Sequence, residues 1–170
     1  PSPTPTPTPI PSLSPTPTAT PVSGSDLIIN GGFENGSLSN WTITAQAVIS
    51  TSNVLSGNYS AALTGNESSL SQNINSKLVA GTPYKITAWV KITTTGTSWG
   101  LPLLRVSKYP ELGAASFGEA KAQNSTTVGW QKLTITKTFT ASYLSGNVFV
   151  GVKHFGFTGN SSVDDISVMP

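Results

Sequence analysis

Seven carboxylates, one histidine and no cysteine are all that this 170-residue chain offers for acid–base, nucleophilic or thiolate chemistry. The carboxylates are Asp26, Glu34, Glu67, Glu111, Glu119, Asp164 and Asp165, and the histidine is His154. Hydrolysis of a glycosidic bond needs two carboxyl groups facing each other across the bond. Glu111 and Glu119 share one long irregular stretch, but two solvated loop carboxylates describe them better than a catalytic pair. No G-x-S-x-G, Walker or H-E-x-x-H pattern occurs. The lack of cysteine removes a disulfide framework and thiolate metal sites. The expectation is a chain that is not an enzyme.

Binding chemistry is better supplied. The chain carries four Trp, four Tyr and six Phe. Pyranose C–H faces stack on flat rings, while Asn, Gln, Arg and His fork to adjacent hydroxyls. Trp99, Arg105 and Tyr109 share a parity opposite to that of Leu104 and Val106, so one strand could present all three on one face. Gln123 and Asn124 are polar partners for such a site. Trp89 alternates away from its inward-facing neighbours, and either lines a cleft or lies beneath a loop.

Strands must position these residues, because helical periodicity is nearly absent. Tyr84, Ile86, Ala88 and Val90 take one face of a strand and Lys85, Thr87, Trp89 and Lys91 the other, a separation only a period of two produces. Further strands are expected at Leu27–Ile29, Trp41–Ile43, Ala47–Ile49, Tyr59–Leu63, Leu70–Ile74, Leu101–Val106, Leu133–Phe139, Val148–Lys153 and Val163–Val168. Gly, Asn and Ser supply the turns between them. Residues 108–129 have little pattern and form a long excursion, with one short strand around Phe117. The fold class is all-β: a two-sheet antiparallel β-sandwich, a jelly roll, over residues 26–170.

An extended Pro/Thr linker over residues 1–25 precedes it. PSPTPTPTPIPSLSPTPTATP has only Ile10 and Leu13 to bury, too little to offset ordering entropy. Alternating proline favours a semi-rigid polyproline II spacer, whose hydroxyls are O-glycan candidates. Such spacers typify secreted modular proteins, so an extracellular location is expected. No leader is visible and the chain opens inside the spacer, so a processed or partial chain is expected. Charged residues make up 9% and the net charge is +2 without a basic stripe, which points away from nucleic acid. No apolar run approaches the ~20 residues of a membrane span.

Four stretches together resemble the carbohydrate-binding modules of the family 4, 9, 16 and 22 group. They are Leu27-Ile28-Ile29-Asn30-Gly31-Gly32-Phe33-Glu34 with Trp41-Thr42; Ser56-Gly57-Asn58-Tyr59-Ser60-Ala61-Ala62-Leu63; Leu78 to Lys91; and Gly129-Trp130-Gln131-Lys132-Leu133 with Val163-Asp164-Asp165-Ile166-Ser167-Val168. The resemblance covers the domain from residue 26 to the end. It implies non-catalytic binding of xylan, β-glucan or mannan, targeting a covalently linked catalytic or surface domain to glycan. It also implies a structural Ca²⁺, with side-chain oxygens from Glu34 and Asp164 and carbonyls from Gly31, Ser56 and Asn58, an all-oxygen set suited to a hard cation. His154-Phe155-Gly156-Phe157 is similar to an H-F-G-aromatic run whose histidine contacts sugar, which brings His154 and Phe157 into the expected site. Phe117 falls where that family carries a binding aromatic. Trp41, Tyr84 and Trp130 match framework positions. The expected carbohydrate-binding set is thus Trp89, Trp99, Arg105, Tyr109, Phe117, Gln123, His154 and Phe157.

A different reading stays open: a structural or adhesive subunit of an extracellular filament or surface layer. Low charge, abundant Ser and Thr, and N-x-S/T sequons at Asn35, Asn40, Asn58, Asn66, Asn124 and Asn160 are compatible with it. Sandwich edges also permit self-assembly.

Overall fold

The computed structural model describes residues 24–96, 100–113 and 116–170. Ten strands are laid down in chain order: β1 (Thr42–Thr44), β2 (Ala47–Ser50), β3 (Ser60–Thr64), β4 (Ser69–Asn73), β5 (Pro83–Thr94), β6 (Leu101–Ser107), β7 (Ser116–Lys121), β8 (Trp130–Thr138), β9 (Phe149–Phe155) and β10 (Asn160–Met169). A 3₁₀ turn at Asn75–Lys77 and a one-turn helix α1 at Ala141–Leu144 are the helical pieces among the described residues. The strands form two five-stranded sheets, in the orders β1-β4-β9-β6-β7 and β2-β3-β10-β5-β8. Every pairing is antiparallel. Here they are called the first and second sheet. Linker positions 1–23 lie outside the described residues.

Alternation builds the core between them. Tyr84, Ile86, Ala88 and Val90 of β5 are buried, as are Leu104 and Val106 of β6 and Val150 and Val152 of β9. Each Val, Leu and Ile among them contributes about 1.5–3 kcal/mol when fully buried. Trp41 closes one end against Phe33, with ring centroids 5.4 Å apart. The strand expected around Phe117 is β7.

One expected strand is not formed. Leu27–Ile29 runs as bends, although Leu27 N–H still donates to the Val168 carbonyl at 2.9 Å. Gln72 of β4 is the reason. Its side-chain carbonyl accepts from Ile29 N–H at 3.1 Å and its amide donates to Ile29 C=O at 2.6 Å. One side chain thus satisfies both backbone groups that a neighbouring strand would otherwise take up.

Candidate binding face

The outer face of the first sheet gathers the polar chemistry. Because Leu70, Leu104 and Val152 point inward, Ser71 on β4, Arg105 on β6 and Lys153 on β9 point out. These strands lie side by side in the order β4-β9-β6. The segment after β6 folds back across them as a strap. Three consecutive strap carbonyls are taken by the sheet: Pro110 accepts from Ser71 Oγ at 2.7 Å, Glu111 from Lys153 Nζ at 3.0 Å, and Leu112 from Arg105 Nη1 at 2.9 Å. Leu112 takes a left-handed backbone, φ 53°, and is wholly buried. Carboxylates complete the two cations. Glu67 lies 2.6 Å from Lys153 Nζ, and Glu119 lies 3.3 Å from Arg105 Nη2.

The strap leaves open the end of this face where β6 begins and β9 finishes. A shallow groove of about 120 Å³ there is lined by Gly100, Leu101, Leu103, Lys121 and Phe155. Phe155 is 37% exposed, and the Arg105 guanidinium carbon sits 5.4 Å from its ring centroid. Arg105 Nε is buried without a hydrogen-bond partner. An aromatic ring with lysine at the rim forms a site that can hold a polar ring with apolar faces.

The expected residues distribute unevenly around this groove. Arg105 does not line it but is buried behind it, its guanidinium packed on the Phe155 ring. Gln123 follows β7 at the same end and is exposed; its backbone N–H donates to Gln131 Oε1 at 2.5 Å. Tyr109 lies in the strap, 48% exposed, not on a strand face. Trp99 lies outside the described residues. Phe117 faces α1 instead, its ring 4.8 Å from that of Tyr143. Trp89 is on the outer side of the second sheet, half-buried, with Lys132 Nζ 5.5 Å from its ring centroid. Trp130, expected in the framework core, stands on that same outer side.

His154 and Phe157 point the other way from the groove. Both are wholly buried and meet edge to face at 5.0 Å. His154 Nδ1 lies 2.8 Å from the Gly65 carbonyl and Nε2 lies 2.7 Å from Ser161 Oγ, so both ring nitrogens are committed to the protein. Burial lowers its pKa to about 4, against the opposing pull of the Gly65 hydrogen bond. The correction follows from parity: His154 continues the inward series Val150, Val152, and its neighbour Phe155 takes the outward place. Sequence reasoning missed Phe155, although that same series contained the signal.

The carboxylates expected at a metal converge on one turn. Glu34 accepts the backbone N–H of Asn58 at 2.9 Å and that of Tyr59 at 3.1 Å. Asp164 Oδ2 accepts from Leu55 N–H at 2.9 Å and Ser56 N–H at 3.3 Å, and the Ser56 hydroxyl donates to Asp165 at 3.1 Å. The Gly31 carbonyl, on the adjoining turn, accepts from Ile166 N–H at 3.0 Å. Asp164 is wholly buried, and burial pushes its carboxyl above the ordinary range; the three backbone hydrogen bonds oppose this and the Asp165 charge adds to it. The ion pairs among the described residues involve Glu67 and Glu119, not these three carboxylates. No group of three or more His, Cys, Asp or Glu gathers at metal-ligating spacing among the described residues. A set of oxygens with uncompensated negative charge nevertheless fits a hard cation that draws on carbonyls as well.

Comparison with known proteins adds three findings. The model of a carbohydrate binding domain family, CBM_4_9, matches residues 25–150. No curated protein sequence matches. Among solved structures, the CBM22-1 xylan-binding domain from Paenibacillus barcinonensis Xyn10C is similar with a TM-score of 0.66 and 15% identity, covering 86% of this chain and 95% of that one. A Family 16 Carbohydrate Binding Module-2 gives 0.63 at 19% identity, covering 85% and 99%. The CBM22-1-GH10 modules of Clostridium thermocellum xylanase Xyn10B, complexed with xylohexaose, give 0.61 at 12% identity, covering 86% and 28%. At these identities the likeness is one of fold.

Proposed function

From the premise that the chain belongs to the carbohydrate binding domain family, we propose that it binds a xylan, β-glucan or mannan type polysaccharide, without catalysis, in the groove beside Phe155. The carrying observation is the half-exposed Phe155 ring in the wall of the groove, held from behind by the Arg105 guanidinium. A pyranose face stacks on the ring, and the Lys121 ammonium at the rim donates to sugar hydroxyls. The xylan-binding domains among the similar folds support the same ligand class. In this reading the Pro/Thr segment is a tether in an extracellular protein. It converts weak binding into high local concentration for an attached catalytic or surface domain. Glu34 and Asp164, with carbonyls from Gly31, Ser56 and Asn58, would hold a structural Ca²⁺ that neutralises the buried charge and takes no part in ligand chemistry.

Affinity electrophoresis of the full chain through xylan, mixed-linkage β-glucan and mannan gels tests the site. Retardation by one of them is expected, reduced at least ~10-fold in Phe155→Ala, since a stacked aromatic contributes about 0.5–1.5 kcal/mol beyond its buried area. A folded, calcium-loaded chain that none of the gels retards, or a Phe155→Ala variant that binds as well as the parent, would overturn the assignment.

A further inference from the structure

The outer side of the second sheet carries a pattern that the groove does not use. On β5 the outward residues are Lys85, Thr87, Trp89 and Lys91; on the edge strand β8 they are Thr136, Thr134, Lys132 and Trp130. The register pairs Lys85 with Thr136, Thr87 with Thr134, Trp89 with Lys132 and Lys91 with Trp130. The two tryptophans are therefore diagonal neighbours, each opposite a lysine. Both indoles are half-buried, and Lys85, Lys132, Thr134 and Thr136 are exposed. Neither strand has a carboxylate. Asp164, beside Trp89 on β10, is sealed beneath the Leu55–Ser56 turn. Among the described residues Lys85, Lys91 and Lys132 make no ion pair, and Lys91 Nζ donates instead to Asn53 Oδ1 at 2.9 Å.

Flat indole faces interleaved with ammonium groups that face no carboxylate on either strand suit a chain of rings that bear carboxylates. We propose that this face is a second binding surface, specific for an acidic, uronate-bearing polysaccharide. Pyranose faces stack on Trp89 and Trp130, displacing the Lys132 stem from the ring. The freed Lys132 and its neighbours Lys85 and Lys91 meet uronate carboxylates, and Thr87, Thr134 and Thr136 offer hydroxyls along the same track. β5 and β8 carry only positive charge here, so an acidic glycan adds ionic contacts at the lysines that a neutral one cannot make. Because the charges are exposed, binding weakens as salt rises past about 0.1 M. The surface lies on the opposite sheet from the Phe155 groove and stands independently of it.

Intrinsic tryptophan fluorescence of the full chain, titrated with polygalacturonate, reads this face. Polyglutamate serves as an acidic chain without sugar rings, and single-stranded DNA as an acidic chain with other rings. Saturable quenching by polygalacturonate alone is expected, with affinity falling at least ~10-fold between 20 and 200 mM salt. Trp89→Ala and the milder Lys85→Gln/Lys132→Gln pair are each expected to weaken it ~5-fold or more, and Phe155→Ala to leave it unchanged. No saturable response, equal responses to all three polyanions, or full affinity in the lysine pair overturns the proposal. A loss in Phe155→Ala equal to that in Trp89→Ala overturns the claim of a separate surface and returns the ligand to the groove.

Discussion

At His154 and Phe155 one residue of register separates a core histidine from an exposed ring. Along β9 the side chains alternate strictly, so two neighbours cannot share a face. His154 is sealed between Gly65 and Ser161. Its substitution by alanine is expected to orphan Ser161 and open a cavity, lowering stability by ~2–4 kcal/mol without touching the groove. Its titration gives a pH signature. The folded-state pKa is lowered to about 4 from 6.5, so between these values the unfolded chain binds more protons. The stabilisation is fully present above pH 6.5 and is lost as pH falls toward 4, up to ~3 kcal/mol at ~1.4 kcal/mol per unit. Asp164, with its raised pKa, acts in the opposite direction on acidification. The clean readout is therefore a difference: urea midpoints at pH 7.5 and 4.5 should drop more in the parent than in His154→Gln. Equal drops would mean that His154 is already charged in the fold.

The strap is an element whose order comes from side chains rather than from a ladder. Tyr109 C=O accepts from Leu112 N–H at 3.1 Å, and the other fixed points are Ser71, Lys153 and Arg105 on three strands. Leu112 at positive φ costs of order 1 kcal/mol, which its burial offsets. Local stability should follow those anchors. In Ser71→Ala/Lys153→Met, amide exchange over residues 110–113 is expected to rise at least ~10-fold, with β5 amides unchanged. Unchanged exchange in the strap would place its stability in the turn itself. The same element shows where sequence reasoning stopped. Residues 108–113 have no hydrophobic period, and beyond Tyr109 as a binding residue the sequence reads them only as part of a long excursion. Which three side chains receive their carbonyls depends on strands from distant parts of the chain.

Across the whole molecule, the Glu34 and Asp164 cluster ties the opening turn, the Leu55–Tyr59 turn and the closing strand together. A cation held there, as proposed, would stabilise the folded state by mass action, ~2.7 kcal/mol at a hundred times its dissociation constant. Calcium is expected to raise the melting temperature by several degrees and EDTA to reverse it. Glu34→Gln should abolish the response. A melting temperature indifferent to both reagents would leave the turn held by hydrogen bonds alone.

The sequence by itself determined the sandwich and its inward set, because a period of two is a local property of each strand. Tyr84–Val90 and Leu104–Val106 were legible for that reason, and so was the outward place of Arg105. The phase of Val148, Val150 and Val152 already sent His154 inward and Phe155 out, although the resemblance to known modules pointed to the histidine. Tertiary structure alone decided the rest. It placed Trp89 and Trp130 together on the outer side of the second sheet and Phe117 against α1. It also let Gln72 replace a strand beside Ile29, and it set three strap carbonyls over three strands. Each depends on pairing register between segments far apart in the chain, and no local pattern encodes that register.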